Sequence, residues 1–301
     1  MKDLIGKTCF LTGAANGIGR SFAKALAKEG MKLFITDIDT EGLEQVKNEI
    51  EQTGVTVHSM KCDVSKLSDF EEASKEFYSK LGDVDLLINN AGIGLADNIA
   101  DMDLEIWKSV IDVNLWSIIL SLKVFLPRML ERKSGHIVNV ASAAGLFGSS
   151  EPLPYITSKF AVVGLSEGLF SRLNMSGINV SVIAPNYIRT NIFEVGLKNM
   201  KYDPKMLKDF GKEKLDEVYK TWMDNVINSA MSPDVAVKKY IRQIKKDLLY
   251  IFDSKAIKDL LALKGKDLQN YQKLLLDYQE MQAKNMREYF HQHGINIEDY
   301  M

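Results

Sequence analysis

The chain has 301 residues, with 38 lysines and arginines against 40 aspartates and glutamates, and it contains two cysteines. This length can bury a full hydrophobic core and fits one large domain better than two. Because the charge is balanced, nothing in the composition indicates a nucleic acid or an anionic membrane as partner. Cys9 and Cys62 lie inside apolar, strand-like runs, so they are interpreted as reduced core residues of a cytoplasmic protein.

Short apolar runs alternate with longer helical patterns along most of the chain. Strands are predicted at 7–11, 32–36, 56–61, 86–89, 136–140, 179–184 and 248–252. Helices are predicted at 17–29, 40–52, 65–80, 104–132 and 155–176. Strands that are continuous apolar runs are buried on both faces. The pattern therefore predicts an α/β fold, a Rossmann-type doubly wound parallel sheet of about seven strands flanked by helices.

Three further features concern the ends and the interruptions of this pattern. The first strand begins by about Lys7, so no signal peptide is expected. The apolar stretch 110–130 is interrupted by Asp112, Asn114 and Lys123, which predicts a buried helix rather than a membrane span. His136 follows a glycine at a strand start and is interpreted as structural.

The pattern changes after Thr190. Residues 191–230 are rich in lysine, methionine and aromatic residues and lack strand signals, which predicts a helical insertion over the site. Residues 256–290 are helical and charged, and one stripe of that helix carries Leu268, Tyr271, Leu275 and Tyr278. We therefore expect a catalytic domain over 1–254 and a helical C-terminal extension over 255–301. The extension is expected to close the pocket or to support an oligomer.

A glycine-rich turn, Gly13-x-x-x-Gly17-x-Gly19, follows the first strand and opens the first helix. Glycines permit a tight turn, and the N–H groups of a helix N-terminus bind a pyrophosphate. Asp37 ends the second strand, where a carboxylate accepts hydrogen bonds from ribose hydroxyls and repels a 2′-phosphate. No lysine or arginine lies at 14–16. These features favour NAD over NADP, although an ordinary strand-to-helix turn and a solvated Asp37 are the alternatives.

Tyr155 and Lys159 are four residues apart and so lie on one face of a helix. A phenol has a pKa of about 10, and a nearby cation lowers that pKa. Ser142 ends a strand-like run, which places its hydroxyl at the carboxyl edge of the sheet, where it can orient a substrate oxygen. Asn114 lies within a predicted core helix, so its amide needs partners. A helix distortion that holds a water near Lys159 would supply them.

On these residues the chain resembles the classical short-chain dehydrogenase/reductase family, over about residues 5–252. The matching motifs are Thr12-Gly13-x-x-x-Gly17-x-Gly19, Asp63-Val64, Asn89-Asn90-Ala91-Gly92, Asn114, Ser142 and Tyr155-x-x-x-Lys159. The resemblance implies that Tyr155 is the catalytic acid/base and that Lys159 lowers its pKa and binds the nicotinamide ribose. It also implies that Ser142 orients the substrate and that Asn114 holds the water of a proton relay.

The resemblance also implies a set of cofactor contacts. Asp63 and Val64 would contact adenine, Asn90 would lie along the adenine ribose, and Ile188 and Thr190 would hold the nicotinamide carboxamide. The complete predicted set is Gly13, Asn16, Gly17, Ile18, Gly19, Asp37, Asp63, Val64, Asn90, Ala91, Gly92, Tyr155, Lys159, Pro185, Ile188 and Thr190. Pro185-Asn186 stands where the family usually has Pro-Gly, and Asn186 is expected to tolerate left-handed geometry.

The expected function is NAD-dependent interconversion of a secondary alcohol and a ketone on a lipophilic substrate. Phe147, Leu153 and Tyr187 would line an apolar pocket beside Ser142. The alternatives are an NADPH-linked carbonyl reductase and a catalytically idle dinucleotide-binding scaffold. No metal site is expected, because His291-x-His293 lies in a polar tail.

Assembly into a homodimer or homotetramer is expected from two helices with surplus apolar residues. The residues concerned are Trp116, Ile118, Ile119, Leu122, Phe125, Phe160 and Leu169. The family resemblance implies the same two helices as the interface. The alternative is that the insertion or the C-terminal helix covers this face within one chain.

Overall fold

The structure is a computed structural model of the chain. It describes residues 1–95, 102–148, 151–190, 192, 202 and 204–300. Part of the predicted insertion, at 193–201, lies outside these residues. The strands are β1 (Thr8–Thr12), β2 (Lys32–Asp37), β3 (Val57–Lys61), β4 (Leu86–Asn89), β5 (Gly135–Val140), β6 (Ile178–Ala184) and β7 (Tyr250–Phe252).

The helices alternate with these strands and then continue beyond the last one. They are α1 (Gly17–Lys28), α2 (Thr40–Glu51), α3 (Leu67–Leu81), α4 (Leu104–Ile111), α5 (Ser117–Arg132), α6 (Leu153–Leu173), α7 (Pro204–Phe210), α8 (Lys212–Ser229), α9 (Pro233–Ile244), α10 (Lys255–Lys266) and α11 (Leu268–Gln292). The helices α10 and α11 form the predicted C-terminal extension.

Within the described residues, seven parallel strands form one sheet in the order β3-β2-β1-β4-β5-β6-β7. The chain order reverses between β1 and β4, and ligands of such sheets bind beyond the carboxyl ends of the strands at this switch point. The predicted Rossmann-type fold is confirmed. The turn after β1 and the segment after β4 both lie at that edge.

The sheet has a hydrophobic core on each face because its strands are apolar on both sides. One core includes residues of α1, α2 and α9, and the other includes residues of α3, α5 and α6. The second core contains an aromatic cluster around Phe10, whose ring centroid lies 4.6 Å from that of Phe125 and 5.6 Å from that of Phe34. Cys9 and Cys62 are both buried and free, as predicted.

The predicted helix 104–132 is interrupted where α4 meets α5. Asp112–Trp116 forms a π-helical turn, a local widening that is frequent at functional sites. In the described part of the chain, only Leu104–Arg132 is long and apolar enough to cross a membrane, with a mean hydropathy of 1.7. Ile118, Leu122 and Phe125 of this stretch are buried in the second core, so packing on the sheet accounts for part of its apolar character.

This packing corrects part of the predicted interface. Ile118, Leu122 and Phe125 are buried within the chain and are not available to a second copy. Trp116 is 49% exposed and Phe160 is 38% exposed. The ammonium of Lys264, on α10, lies 5.0 Å from the centre of the Phe160 ring. The C-terminal extension therefore contacts this face at Phe160, and the expected oligomer stays a prediction.

Candidate active site

A cavity of about 750 Å³ opens at the carboxyl edge of the sheet. It extends from the end of β2 at Asp37, past the glycine turn, to Tyr155 and Lys159 on α6. This volume is in the range of cofactor and ligand sites. Every residue of the predicted cofactor set lines the cavity except Gly19.

The glycine turn holds β1, α1 and the segment after β4 in close contact. Gly13 has a φ of +67°, and a Cβ there would lie 2.8 Å from the Cα of Ala91. At Gly19 a Cβ would lie 1.9 Å from the carbonyl oxygen of Gly13. Gly19 is therefore needed for packing of the helix against the turn. The prediction that Gly19 contacts the cofactor stays a prediction, although Gly19 does not line the described cavity.

Asn90, which directly follows β4, stabilises the glycine turn through hydrogen bonds. Its Nδ2 donates to the carbonyl oxygens of Thr12 and Gly13 at 3.0 and 2.9 Å. The hydroxyl of Thr12 accepts from the N–H groups of Asn90 and Ala91 at 3.0 and 3.1 Å. These bonds fix the backbone that the sequence motif predicts as the dinucleotide site. The Asn90 amide is thus occupied by the turn, while the residue also lines the cavity.

Acidic side chains line the end of the cavity near β2 and β3. Asp37 accepts from the N–H groups of Ala15 and Asp39 at 2.9 and 3.1 Å, which fixes its carboxylate. Asp39 and Asp63 line the same end. Of the described residues that line the cavity, only Lys159 carries a positive charge. A phosphate group at the Asp37 end would therefore meet negative charge.

Ser142, Tyr155 and Lys159 converge at the other end of the cavity. Ser142 follows β5 and its hydroxyl hydrogen-bonds that of Tyr155. The ammonium of Lys159 lies 5.5 Å from the centre of the Tyr155 ring and donates to the carbonyl oxygen of Val140 at 3.1 Å. Tyr155 is 8% exposed and Lys159 is 3% exposed. The three predicted side chains are brought together as expected.

The protonation equilibria of these groups differ from the expectation. Burial raises the pKa of Tyr155 to about 12; the hydrogen bond from Ser142 lowers that pKa, and the charge of Glu151 raises it. Burial lowers the pKa of Lys159 to about 8. The expected lowering of the Tyr155 pKa by Lys159 is therefore not observed, because the protein groups together raise this pKa. Burial is the largest cause of the shift, because it disfavours the charged phenolate.

Asn114 lies in the π-helical turn and is 1% exposed. Its Nδ2 donates to the carbonyl oxygen of Ile93 and to the hydroxyl of Ser158, both at 2.9 Å, and its Oδ1 accepts from the N–H of Ile93 at 2.8 Å. The predicted distortion is present. Protein groups satisfy the amide, however, so a water is not needed to supply its partners. Asn114 ties the segment after β4 to α6, next to Tyr155.

A buried row of polar side chains, which the sequence analysis did not identify, sets the position of α6 on the sheet. Asn89 donates to Asn139 at 2.8 Å, and Asn139 donates to Ser166 at 3.0 Å. All three are fully or almost fully buried. Buried polar groups that are paired in this way specify one arrangement of the elements that carry them. The row links β4, β5 and α6.

Two of the three side chains predicted for the apolar pocket line the cavity beyond Tyr155. Phe147 and Tyr187 line it, whereas Leu153 lies at the start of α6, is 37% exposed and does not line it. Leu153 is therefore not part of the described cavity wall, and a role for it in substrate binding stays a prediction. The walls that the sequence analysis missed are mainly apolar side chains of α10 and α11, with Glu151 as an acid. They are Ile93, Val113, Glu151, Ile192, Ile257, Leu260, Leu274, Leu275 and Tyr278.

The turn after β6 differs from its prediction. Among the described non-glycine residues, only Lys133 and Asp247 have a positive φ. Asn186 therefore does not take left-handed geometry, and its N–H donates to Asp253 at 3.0 Å. Pro185, Ile188 and Thr190 still line the cavity.

A family model of short chain dehydrogenases matches residues 7–200. The chain belongs to the short-chain dehydrogenase family. Its relatives include 3-oxoacyl-[acyl-carrier-protein] reductase FabG of Staphylococcus epidermidis, which is 34% identical over 213 residues, 69% of this chain and 87% of the relative. The enzyme class is therefore oxidoreductase.

Two solved structures of the family extend the comparison. A short-chain dehydrogenase/reductase of Burkholderia phymatum in complex with NAD is 27% identical, with a TM-score of 0.78 over 89% of this chain and 96% of that chain. An actinorhodin polyketide ketoreductase with NADPH is also 27% identical, with a TM-score of 0.70 over 85% of this chain and 99% of that chain. The family binds nicotinamide dinucleotides, and the relatives differ in which one.

The C-terminal extension of this short-chain dehydrogenase lies beyond the stretch that the family model matches. Lys264 donates to the carbonyl oxygen of Leu146 at 2.6 Å, and the rings of Tyr271 and Phe147 lie 6.4 Å apart. These contacts seat α10 and α11 on the loop after Ser142. The stripe of Tyr271, Leu275 and Tyr278 was the signal in the sequence for this wall. No group of three or more candidate metal ligands occurs in the described ranges.

Proposed function

We propose that this chain is an NAD-dependent oxidoreductase that interconverts a secondary alcohol and a ketone on a lipophilic substrate. The observation that carries the proposal is the convergence of Ser142, Tyr155 and Lys159 in a cavity whose other end is lined by Asp37. A phenol that is held beside a hydroxyl and a buried ammonium can exchange a proton with an alcohol oxygen. A scaffold that only binds a dinucleotide has no use for this arrangement.

In the proposed reaction the protein groups hold and move one proton. The Ser142 hydroxyl positions the substrate oxygen next to the Tyr155 hydroxyl. Tyr155 accepts the alcohol proton during oxidation and returns it during reduction. The buried charge of Lys159 favours the phenolate, against the burial that disfavours it. When bound, the nicotinamide supplies the hydride acceptor. The apolar walls around Tyr155 exclude water from the reacting carbon.

Several features support the fit of a nicotinamide dinucleotide and the choice of NAD. Helix α1 begins at Gly17, which lines the cavity, and the N–H groups of a helix N-terminus favour a pyrophosphate. Asp37 would accept hydrogen bonds from the adenosine ribose. Arg20 and Lys24 lie near the turn, but both pair with Glu49 on α2. The charges thus favour a ribose over a 2′-phosphate.

A second candidate is an NADPH-linked carbonyl reductase. The related ketoreductase structure with NADPH supports it, and Asp37 opposes it through its charge. The two candidates share the proton-transfer groups and differ only at the adenosine end.

The experiment is a turnover screen of NAD and NADP, and of their reduced forms, against a panel of lipophilic secondary alcohols and ketones. We expect NAD to give the higher kcat/KM, and Asp37→Ala to reduce this preference about tenfold. Asp234, which lies outside the cavity at the start of α9, offers the matched control Asp234→Ala. Equal or better use of NADP by the wild-type protein would overturn the choice of NAD and leave the reaction class in place.

A further inference from the structure

One acid in the cavity has no part in the proposed proton transfer. Glu151 lies two residues before helix α6, lines the cavity, and is close enough to Tyr155 for its charge to act on the phenol. The wall of the same cavity also carries apolar side chains, among them Phe147, Leu274 and Leu275. A carboxylate in such a wall is unfavourable unless other groups pair with it.

The carboxylate is the end of a row of hydrogen bonds that begins on α11. Gln282 donates through Nε2 to the hydroxyl oxygen of Tyr278 at 2.8 Å. The hydroxyls of Tyr278 and Tyr187 are hydrogen-bonded, and Tyr187 is hydrogen-bonded to Glu151. Each phenol has one proton to donate. Tyr187 gives its proton to the carboxylate, which is an acceptor only, so Tyr278 gives its proton to Tyr187.

The direction of this row presents an acceptor to the cavity. An ionised carboxylate only accepts hydrogen bonds, so its complement on a ligand is a hydrogen-bond donor. The lipophilic substrates of the proposed reaction already carry a hydroxyl group at the reacting carbon. A second hydroxyl is therefore the donor that the proposed function favours at Glu151.

We propose that Glu151, held by Tyr187 and Tyr278, binds a second hydroxyl group of the substrate, away from the carbon that reacts. The substrate class is then a lipophilic diol or hydroxyketone rather than a simple secondary alcohol. This inference rests on the proposed function for the identity of the reacting group. It makes the C-terminal extension a determinant of specificity, because Tyr278 and Gln282 both belong to α11.

The test compares a secondary decanol with the decanediols in which a second hydroxyl is moved along the chain. For each variant, isothermal titration calorimetry with NADH-saturated protein, which cannot oxidise the alcohol, gives a Kd, and initial rates with NAD give kcat/KM. The readout is the ratio between diol and decanol within one variant. We expect at least one diol to bind about tenfold more tightly than the decanol to wild-type protein, since hydrogen bonds to charged groups have this strength.

Glu151→Leu is expected to bring the ratio to about one, and Tyr187→Phe to reduce it several-fold. Tyr289→Phe is the matched control on α11, because the Tyr289 hydroxyl is buried without a hydrogen-bond partner in the described structure. It should keep the wild-type ratio. A melting curve for each variant checks that it folds. If Glu151→Leu does not fold, the ratio measured for Tyr187→Phe tests the proposal instead.

The outcomes separate the two proposals. The hydroxyl site is overturned if wild-type protein binds every diol and the decanol equally well. It is also overturned if the preference for a diol persists in both Glu151→Leu and Tyr187→Phe. In either case, oxidation of the alcohols would still support the proposed reaction. A Kd preference that depends on Glu151 without any oxidation supports the hydroxyl site and overturns the reaction.

Discussion

Lys159 lies with its ammonium 5.5 Å from the centre of the Tyr155 ring, and both side chains are buried at the same end of the cavity. Burial lowers the pKa of Lys159 to about 8 from its ordinary 10.5. At neutral pH the folded chain therefore buries the positive charge of Lys159, and this burial lowers the free energy of unfolding. This cost is fully present below pH 8, and it is relieved as the pH rises from about 8 to 10.5, where the unfolded chain binds more protons than the folded chain.

Lys159→Met is accordingly expected to raise the free energy of unfolding at pH 7 by roughly 1–3 kcal/mol. The gain over wild type should shrink between pH 8 and 10.5. Turnover and NAD affinity should both fall, since the cation at Tyr155 is lost. Denaturant unfolding at several pH values measures the first effect, with Lys123→Met on the exposed face of α5 as control. A variant less stable than wild type at pH 7 would contradict the account.

Glu151 gives a second prediction, on the pH dependence of catalysis. Its negative charge raises the pKa of Tyr155, and alcohol oxidation needs the phenolate as base. Glu151→Gln should therefore move the rising limb of kcat/KM for decanol oxidation to lower pH. Glu131→Gln on the exposed surface of α5 is the control. An unchanged limb, or one shifted upward, is the result that would count against the charge of Glu151 acting on Tyr155.

His136 gives a prediction on acid stability. Its Nε2 hydrogen-bonds the Ser181 hydroxyl at 2.8 Å, and its Nδ1 lies 3.6 Å from Asp247, which also binds the N-terminal ammonium. Burial lowers the pKa of His136 to about 4 from 6.5. The unfolded chain is protonated first as the pH falls, so the contribution of this group to stability is present above about pH 6.5 and is lost toward pH 4.

The stability difference between wild type and His136→Gln should therefore fall by on the order of 3 kcal/mol between pH 7 and 4. Chemical unfolding at each pH measures this difference. His291→Gln changes an exposed histidine and serves as control. A stability difference that does not vary with pH would contradict this prediction, because it would mean that His136 has the same pKa in the folded and the unfolded chain.

The exposed apolar residues on α5 and α6 predict assembly. Trp116 is 49% exposed at the end of the π-helical turn, and exposed apolar surface of this kind marks an interface. Light scattering of the wild-type protein should give about two or four times 33.9 kDa. Trp116→Glu should lower the mass, and Leu268→Glu, at a 68% exposed position on α11, should not. A wild-type mass near one chain would end this prediction.

The sheet and much of the site could be predicted from the sequence because their signals are local. Continuous apolar runs such as Cys9-Phe10-Leu11 specify buried strands, and the glycine turn follows the first of them directly. Tyr155 and Lys159 share a helix face by spacing alone. The distortion at Asn114 could be predicted because a polar amide inside a core helix must find partners.

The remaining features depend on contacts between distant parts of the chain. Gly19 meets the carbonyl of Gly13 only once α1 packs on its turn. The stripe that contains Leu275 and Tyr278 predicts an apolar helix face without indicating what it covers. Whether burial or a neighbouring cation dominates the pKa of Tyr155 depends on how closely the cavity walls pack, which spacing along the chain does not determine.

The central claim is that Tyr155 exchanges the proton of the reacting alcohol, and Tyr155→Phe tests it most directly. The phenyl ring keeps the packing and removes only the hydroxyl. With NAD and a lipophilic secondary alcohol that the wild-type protein oxidises, kcat should fall by about a hundredfold to ten-thousandfold, while the Kd for NAD stays within about threefold. Turnover by Tyr155→Phe close to that of the wild-type protein would contradict the account.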